Sequence, residues 1–236
     1  MIVAGAGTVS AVAAKKATST IPIVFAVVSD PVGDGLVASL ARPGGNVTGF
    51  SPFSLQLTAK RLEMLSDLQP RARTIALLVN PKQPLTPRII SYVQEAAGPK
   101  GLSVNITNAS DERELDIAFS AIAQSHADAL FVGSDPFFYN RRQEIAALSL
   151  RAGIPAIYEL REYVAAGGLI SYGTRLDDAY RQTAGYVGRI LAGTKPADLP
   201  VQEPTRFELV VNLKTAEALG LKIPPSILAR ADEVIE

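Results

Sequence analysis

Residues 21–51 read IPIVFAVVSDPVGDGLVASLARPGGNVTGFS. The apolar run 21–28 has the pattern of a strand covered on both faces, as in a parallel sheet. It stops at Ser29-Asp30-Pro31. A helical pattern is expected over 35–41, closed by Arg42-Pro43-Gly44-Gly45, and Val47-Thr48-Gly49 reads as a short strand. Asp30 thus sits at the tip of a buried strand. In open α/β sheets, ligands lie beyond the carboxyl ends of the strands, so a tip acid is either a turn residue or a ligand contact.

The same alternation continues in both directions. Upstream, residues 2–4 read as a strand and 9–17 as a helix, with Thr8 or Ser10 near its cap. Downstream, strands are expected at 74–79, 103–107, 129–132, 155–158, 168–172 and 208–211. Helices are expected at 55–67, 87–97, 111–123 (capped by Ser110), 141–152, 176–191 and 214–219, with a short helical segment at 161–166 and a tail after it all. Repeated strand–helix alternation means a doubly wound α/β fold. The chain changes character twice, which implies two Rossmann-like lobes. Residues 1–50 and 165–203 form the first, and 51–164 and 204–236 the second, with crossings near 48–51, 165–168 and 200–207.

Composition excludes several classes. Lys and Arg total 23, Asp and Glu total 23, and a zero net charge argues against a nucleic-acid partner. With no Cys, there is no disulfide, thiol nucleophile or Cys-ligated zinc. A Ser/His/Asp triad would have to use His126, and no GxSxG turn accompanies it. No enzyme, metal or cofactor is expected. No stretch reaches the roughly 18 apolar residues of a membrane span. Met1 is followed directly by Ile2-Val3-Ala4 without a basic segment, so the expectation is a soluble chain with no signal peptide.

Nearly every expected strand delivers a small, polar or aromatic residue at its tip: Gly7 and Thr8, then Asp30, Asn80, Ser134 and Asp135, Tyr158 and Glu159, Tyr172 and Thr174. The stretch Gly5-Ala6-Gly7-Thr8-Val9-Ser10 partly mimics a dinucleotide fingerprint, but Ser10 replaces the third small residue and no acid follows at the required place. A simpler role is backbone approach at Gly7, with Thr8 and the helix N–H groups offering donors to an anion such as an amino-acid carboxylate.

Residues 22–31, 36–49, 168–173 and 207–216 resemble the ABC-transporter substrate-binding protein family that includes tryptophan- and tyrosine-type binding proteins. The Ala41-Arg42-Pro43-Gly44-Gly45-Asn46 block is the most specific part. The resemblance implies a type I periplasmic-binding-protein fold with an amino-acid-like ligand in the cleft between lobes, an ABC permease as membrane partner, and a periplasmic or membrane-anchored extracellular location. It implies ligand contacts from Gly7, Thr8 and Asp30, from Asn80, Ser134 and Asp135, from Tyr158 and Glu159, and from Tyr172 and Thr174. Thr8 would meet the carboxylate, Asp30 or Asp135 the ammonium, and Tyr158, Tyr172, Phe53 or Phe137 an apolar or aromatic side chain. Family members carry an export signal and further βα units before the stretch matching Ile2. Lobe 1 is therefore expected to be incomplete at its N-terminus and covered by a second copy, as a homodimer or segment swap. The alternatives are a ligand-sensing core of a regulator or receptor on the same fold, or a nucleotide-dependent enzyme.

Overall fold

A computed structural model describes residues 1–5, 7–51 and 56–236. The chain opens with β1 (Ile2–Ala4), α1 (Thr8–Ala17), β2 (Ile23–Phe25) and β3 (Val47–Gly49). It continues through α2 (Gln56–Leu68), β4 (Thr74–Val79), α3 (Thr86–Ala97), β5 (Ser103–Asn108), α4 (Glu112–Gln124) and β6 (Ala129–Val132). Next come α5 (Pro136–Asn140), α6 (Arg142–Arg151), β7 (Ala156–Tyr158), α7 (Arg161–Ala165), β8 (Ile170–Gly173) and α8 (Leu176–Leu191). The last elements are β9 (Glu208–Asn212), α9 (Leu213–Ala218), α10 (Pro225–Leu228) and β10 (Glu233–Ile235). They form two compact units, residues 1–54 with 174–207, and residues 55–173 with 208–236.

In the first unit, β1, β2 and β3 form a parallel sheet in that order. Ile23 and Phe25 pack with Ala4, Ala11, Val28, Leu36 and Val37, while Val24 packs with Tyr186 and Leu199. Both faces are covered, which is why the run carries no polar alternation. The ladder is shorter than the apolar run because its neighbours β1 and β3 are three residues each. At Gly49 a Cβ would stand 2.2 Å from the Phe25 carbonyl oxygen, so β3 closes on β2 only without a side chain there.

Residues 35–41 are not the expected helix but a set of turns. The amides of Leu36 and Val37 donate to the Pro31 carbonyl at 2.8 and 3.1 Å. Gly35 holds φ 66°, in the left-handed region that ends a helix rather than propagates it. The segment is also too short to offset the cost of helix nucleation alone.

The second unit carries a seven-stranded sheet in the order β10-β9-β8-β7-β6-β4-β5. All its pairs are parallel except β8–β9. One face packs on Leu62, Leu65, Ile89, Val93, Ala216 and Ile227 from α2, α3, α9 and α10. Residues 165–173, placed with the first lobe from sequence, belong here instead, because β8 is hydrogen-bonded between β7 and β9. The expected tail also docks. Asp232 accepts from the Leu209 amide at 2.8 Å, and Arg161 pairs with Glu233 at 2.7 Å, holding β10 against β9.

Two helix starts differ from expectation. Asp111, not Ser110, caps α4 by accepting from the Glu114 amide at 2.8 Å, while Ser110 donates its N–H and hydroxyl to the Glu114 carboxylate. The helix expected over 141–152 is preceded by the separate turn of α5, whose start Asp135 caps. Leu55, expected to begin α2, lies outside the described residues.

Candidate functional site

The strand ends of each unit carry their own polar cluster. In the second unit, β4 ends at Asn80, β6 at Ser134 and Asp135, and β7 at Glu159. Asp135 Oδ1 accepts from the amides of Phe137 and Phe138 at 2.8 and 3.1 Å. Its Oδ2 accepts from Asn80 Nδ2 at 3.1 Å, and the Gln83 side chain also donates to this carboxylate. These donors fill the lone-pair sites of an ionised carboxylate, so Asp135 first serves as a helix cap joining the ends of β4 and β6. Burial still holds its pKa above the usual carboxylate value, against the pull of those hydrogen bonds.

Ser134 Oγ donates to Glu159 Oε2, tying the β6–α5 turn to the end of β7. Glu159 is 5% exposed. Burial pushes its carboxyl pKa up, the Arg61 guanidinium and the Ser134 hydroxyl oppose this, and Asp135 and Glu162 add to it. Arg61, on α2, is itself buried, and burial lowers its guanidinium pKa while Glu159 raises it. Arg61 is not among the expected site residues, although the sequence carries a signal for it. It falls on the same helical face as Thr58, Leu62, Leu65 and Leu68, where a charge requires a partner.

Tyr158 does not reach this cluster. At 1% exposure it is a core residue, stacked on Tyr163 at 4.7 Å, with its hydroxyl donating to Ser149 Oγ at 3.2 Å. Tyr158 is the last residue of β7, whereas Glu159 lies past the strand in a bend. Tyr172 follows Ser171, the partner of Tyr158, on β8. Its ring packs partly buried against the core. Phe137 is half-buried, and Phe53 lies outside the described residues.

In the first unit, Gly7 precedes α1 with φ 81° and offers the helix no side-chain cap. Thr8 Oγ1 donates to Asp34 Oδ2 at 3.1 Å. Asp34, which the sequence reading did not single out, has its pKa raised by burial and lowered by this hydrogen bond. Asp30 Oδ1 accepts from the Gly33 amide at 3.0 Å, and Lys15 Nζ donates to the Gly35 and Leu36 carbonyls at 2.6 and 3.0 Å. The 30–36 turn is thereby fastened onto α1. A carboxylate of the chain itself now stands at the first residue of that helix, so an incoming ligand carboxylate would meet like charge there. Thr174, expected beside Tyr172, belongs to this unit and is buried.

Among the described residues, no group of three or more His, Cys, Asp or Glu is arranged to hold a metal ion. No helix among them is long and apolar enough to cross a membrane.

Comparisons with known proteins agree with one another. The model of the family described as ABC transporter substrate binding protein matches residues 1–235. A tyrosine-binding protein of Clostridioides difficile (strain R20291) is 29% identical over 215 residues, covering 91% of this chain. The chain spans 61% of the length of that relative. Among solved structures, a conserved domain protein from Vibrio cholerae O1 biovar El Tor superposes with a TM-score of 0.91 at 32% identity, covering 98% of this chain and 77% of that one. The ABC domain from Streptococcus pneumonia in complex with L-Trp superposes with a TM-score of 0.90 at 28% identity, covering 100% of this chain and 80% of that one.

Proposed function

Because this chain belongs to the ABC transporter substrate-binding protein family, we propose that it is the solute-binding component of an importer and that its solute is an amino acid with an aromatic or other apolar side chain. Its architecture is that of the type I periplasmic-binding proteins. The observation that carries the ligand class is the whole-chain likeness to a domain solved with L-Trp.

The strand-end chemistry supports the same class. An amino acid brings an ammonium and a carboxylate, and burying either one unpaired costs several kcal/mol. In the second unit, Glu159 and Asp135 supply negative charge, and Glu159 is the acid with fewer committed donors. Tyr172 offers an apolar surface. The loaded protein delivers its solute to a membrane permease from a periplasmic or membrane-anchored extracellular position.

A thermal-shift series over the amino acids tests this reading. L-tyrosine or L-tryptophan at about 100 times its Kd is expected to add roughly 2.7 kcal/mol of stability. No shift from any amino acid would remove the ligand class.

A second copy is proposed to cover the outer edge of β1. That strand ends the first unit's sheet, and Val3 and Val9 beside it are 55% and 69% exposed. Open apolar edges invite pairing. Light scattering is expected to report a dimer, and a monomer at all concentrations would dismiss it.

A further inference from the structure

Arg61 has no part in the recognition described so far, yet its surroundings require an explanation. It is 4% exposed, its guanidinium carbon stands 5.5 Å from the centroid of the Phe131 ring, and its Nε has no hydrogen-bond partner. Phe131 pairs with Ile157, and Gly133 and Glu159 lie two residues further on, just past the ends of β6 and β7. Gly133 contributes no side chain there, while Glu159 is a buried acid whose charge acts on Arg61. α2, which carries Arg61, packs against both β7 and β8.

We propose that Arg61 is a positioning residue. From the buried face of α2 it holds the Glu159 carboxylate, which through Ser134 fixes the turn between β6 and α5 and sets the charge shown to a cationic group of the ligand. The part concerning the ligand rests on the amino-acid reading above. An arginine suits this place, since its planar cation lies on an aromatic face and is more weakly hydrated than an ammonium. Glu159 is faced by Arg61 from α2, Ser134 and Asp135 from the β6–α5 turn, Glu162 and Tyr163 from α7, and Tyr172 from β8. Of these, Arg61 is the cation, and it opposes the upward pressure of burial and of the two neighbouring acids.

The test uses the full chain with Arg61→Met, Arg61→Lys, Glu159→Gln and the double variant Arg61→Met/Glu159→Gln. Carboxyl-carbon NMR of the ligand-free protein follows Glu159 directly. Its midpoint is expected to rise by at least about one pH unit in Arg61→Met and to stay near the wild-type value in Arg61→Lys. Calorimetry with L-tyrosine and L-tryptophan from about pH 5 to about pH 8 reads the consequence. Affinity should climb with pH as Glu159 ionises, and Arg61→Met should move that climb to higher pH. Glu159→Gln and the double variant should reduce it alike, leaving only what Asp135 contributes. The double variant buries no unpaired charge, so it keeps the question open to measurement if Arg61→Met does not fold. An unmoved Glu159 midpoint in Arg61→Met, or a climb as large in the double variant as in the wild type, would overturn the proposal. If neither amino acid binds the wild-type chain, the amino-acid reading fails, while the NMR midpoint still decides the role of Arg61.

Discussion

Gly173→Ala is expected to lower stability by about 3 kcal/mol, at the upper end of the range for overpacking a core. The new Cβ would stand 1.8 Å from the Glu159 carbonyl oxygen and 3.0 Å from its carbonyl carbon. Both are backbone atoms, so no side-chain rotation relieves the overlap. β8 and β7 would have to part where Tyr158 pairs with Ser171, and β8 also carries the antiparallel junction to β9. Separation there displaces Glu159, so amino-acid affinity should fall together with stability. Urea unfolding checks the first effect as a lower midpoint at unchanged slope. Gly185→Ala is the control: it lies in α8 with nothing within 4 Å of the added carbon. There the substitution should stabilise, by about 0.5–1 kcal/mol from helix propensity. Equal midpoints for Gly173→Ala and the wild type would show that β7 and β8 are not closed as described.

Arg61→Met is expected to cost about 3 kcal/mol near neutral pH, the lower end for breaking a buried charge pair from one side. The pH dependence distinguishes this from lost packing. The folded-state pKa of Glu159 is raised above its ordinary 4.5. The stability linked to that proton is complete below 4.5 and is lost as pH rises through the folded pKa. Without Arg61 the folded pKa moves further up, so the ionised form becomes costlier. The gap between variant and wild type should therefore widen as pH rises and narrow as pH falls toward 4.5. Urea midpoints collected across that interval decide it. A gap that stays constant would assign the loss to packing and leave Glu159 out of it.

Where apolar pattern and chain direction coincide, the sequence is a good guide. The run 21–28 locates β2, and the tips Asn80, Ser134, Asp135 and Glu159 come together in the second unit through the hydrogen bonds Asn80–Asp135 and Ser134–Glu159. The reason is local: parallel strands share a direction, so their carboxyl ends must gather on one edge of the sheet. Tyr158 fails the same argument by a single residue. Tip position does not say where a side chain packs, and Tyr158, the last residue of β7, stacks on Tyr163 in the core. Residues 35–41 mislead for another reason. Their apolar spacing suits a helix, but Gly35 adopts a left-handed conformation and Lys15 of α1 fastens the turn.

Local order thus sufficed for strands, helices and the polar character of their ends, because propensity and periodicity act over a few residues. Three features needed the folded chain: the partner of Arg61, the engagement of Thr8 by Asp34, and the membership of β8 in the larger sheet. Each depends on contacts between residues far apart along the chain. Burial, which makes an arginine on a helix face demand a carboxylate, exists only once those distant segments have packed.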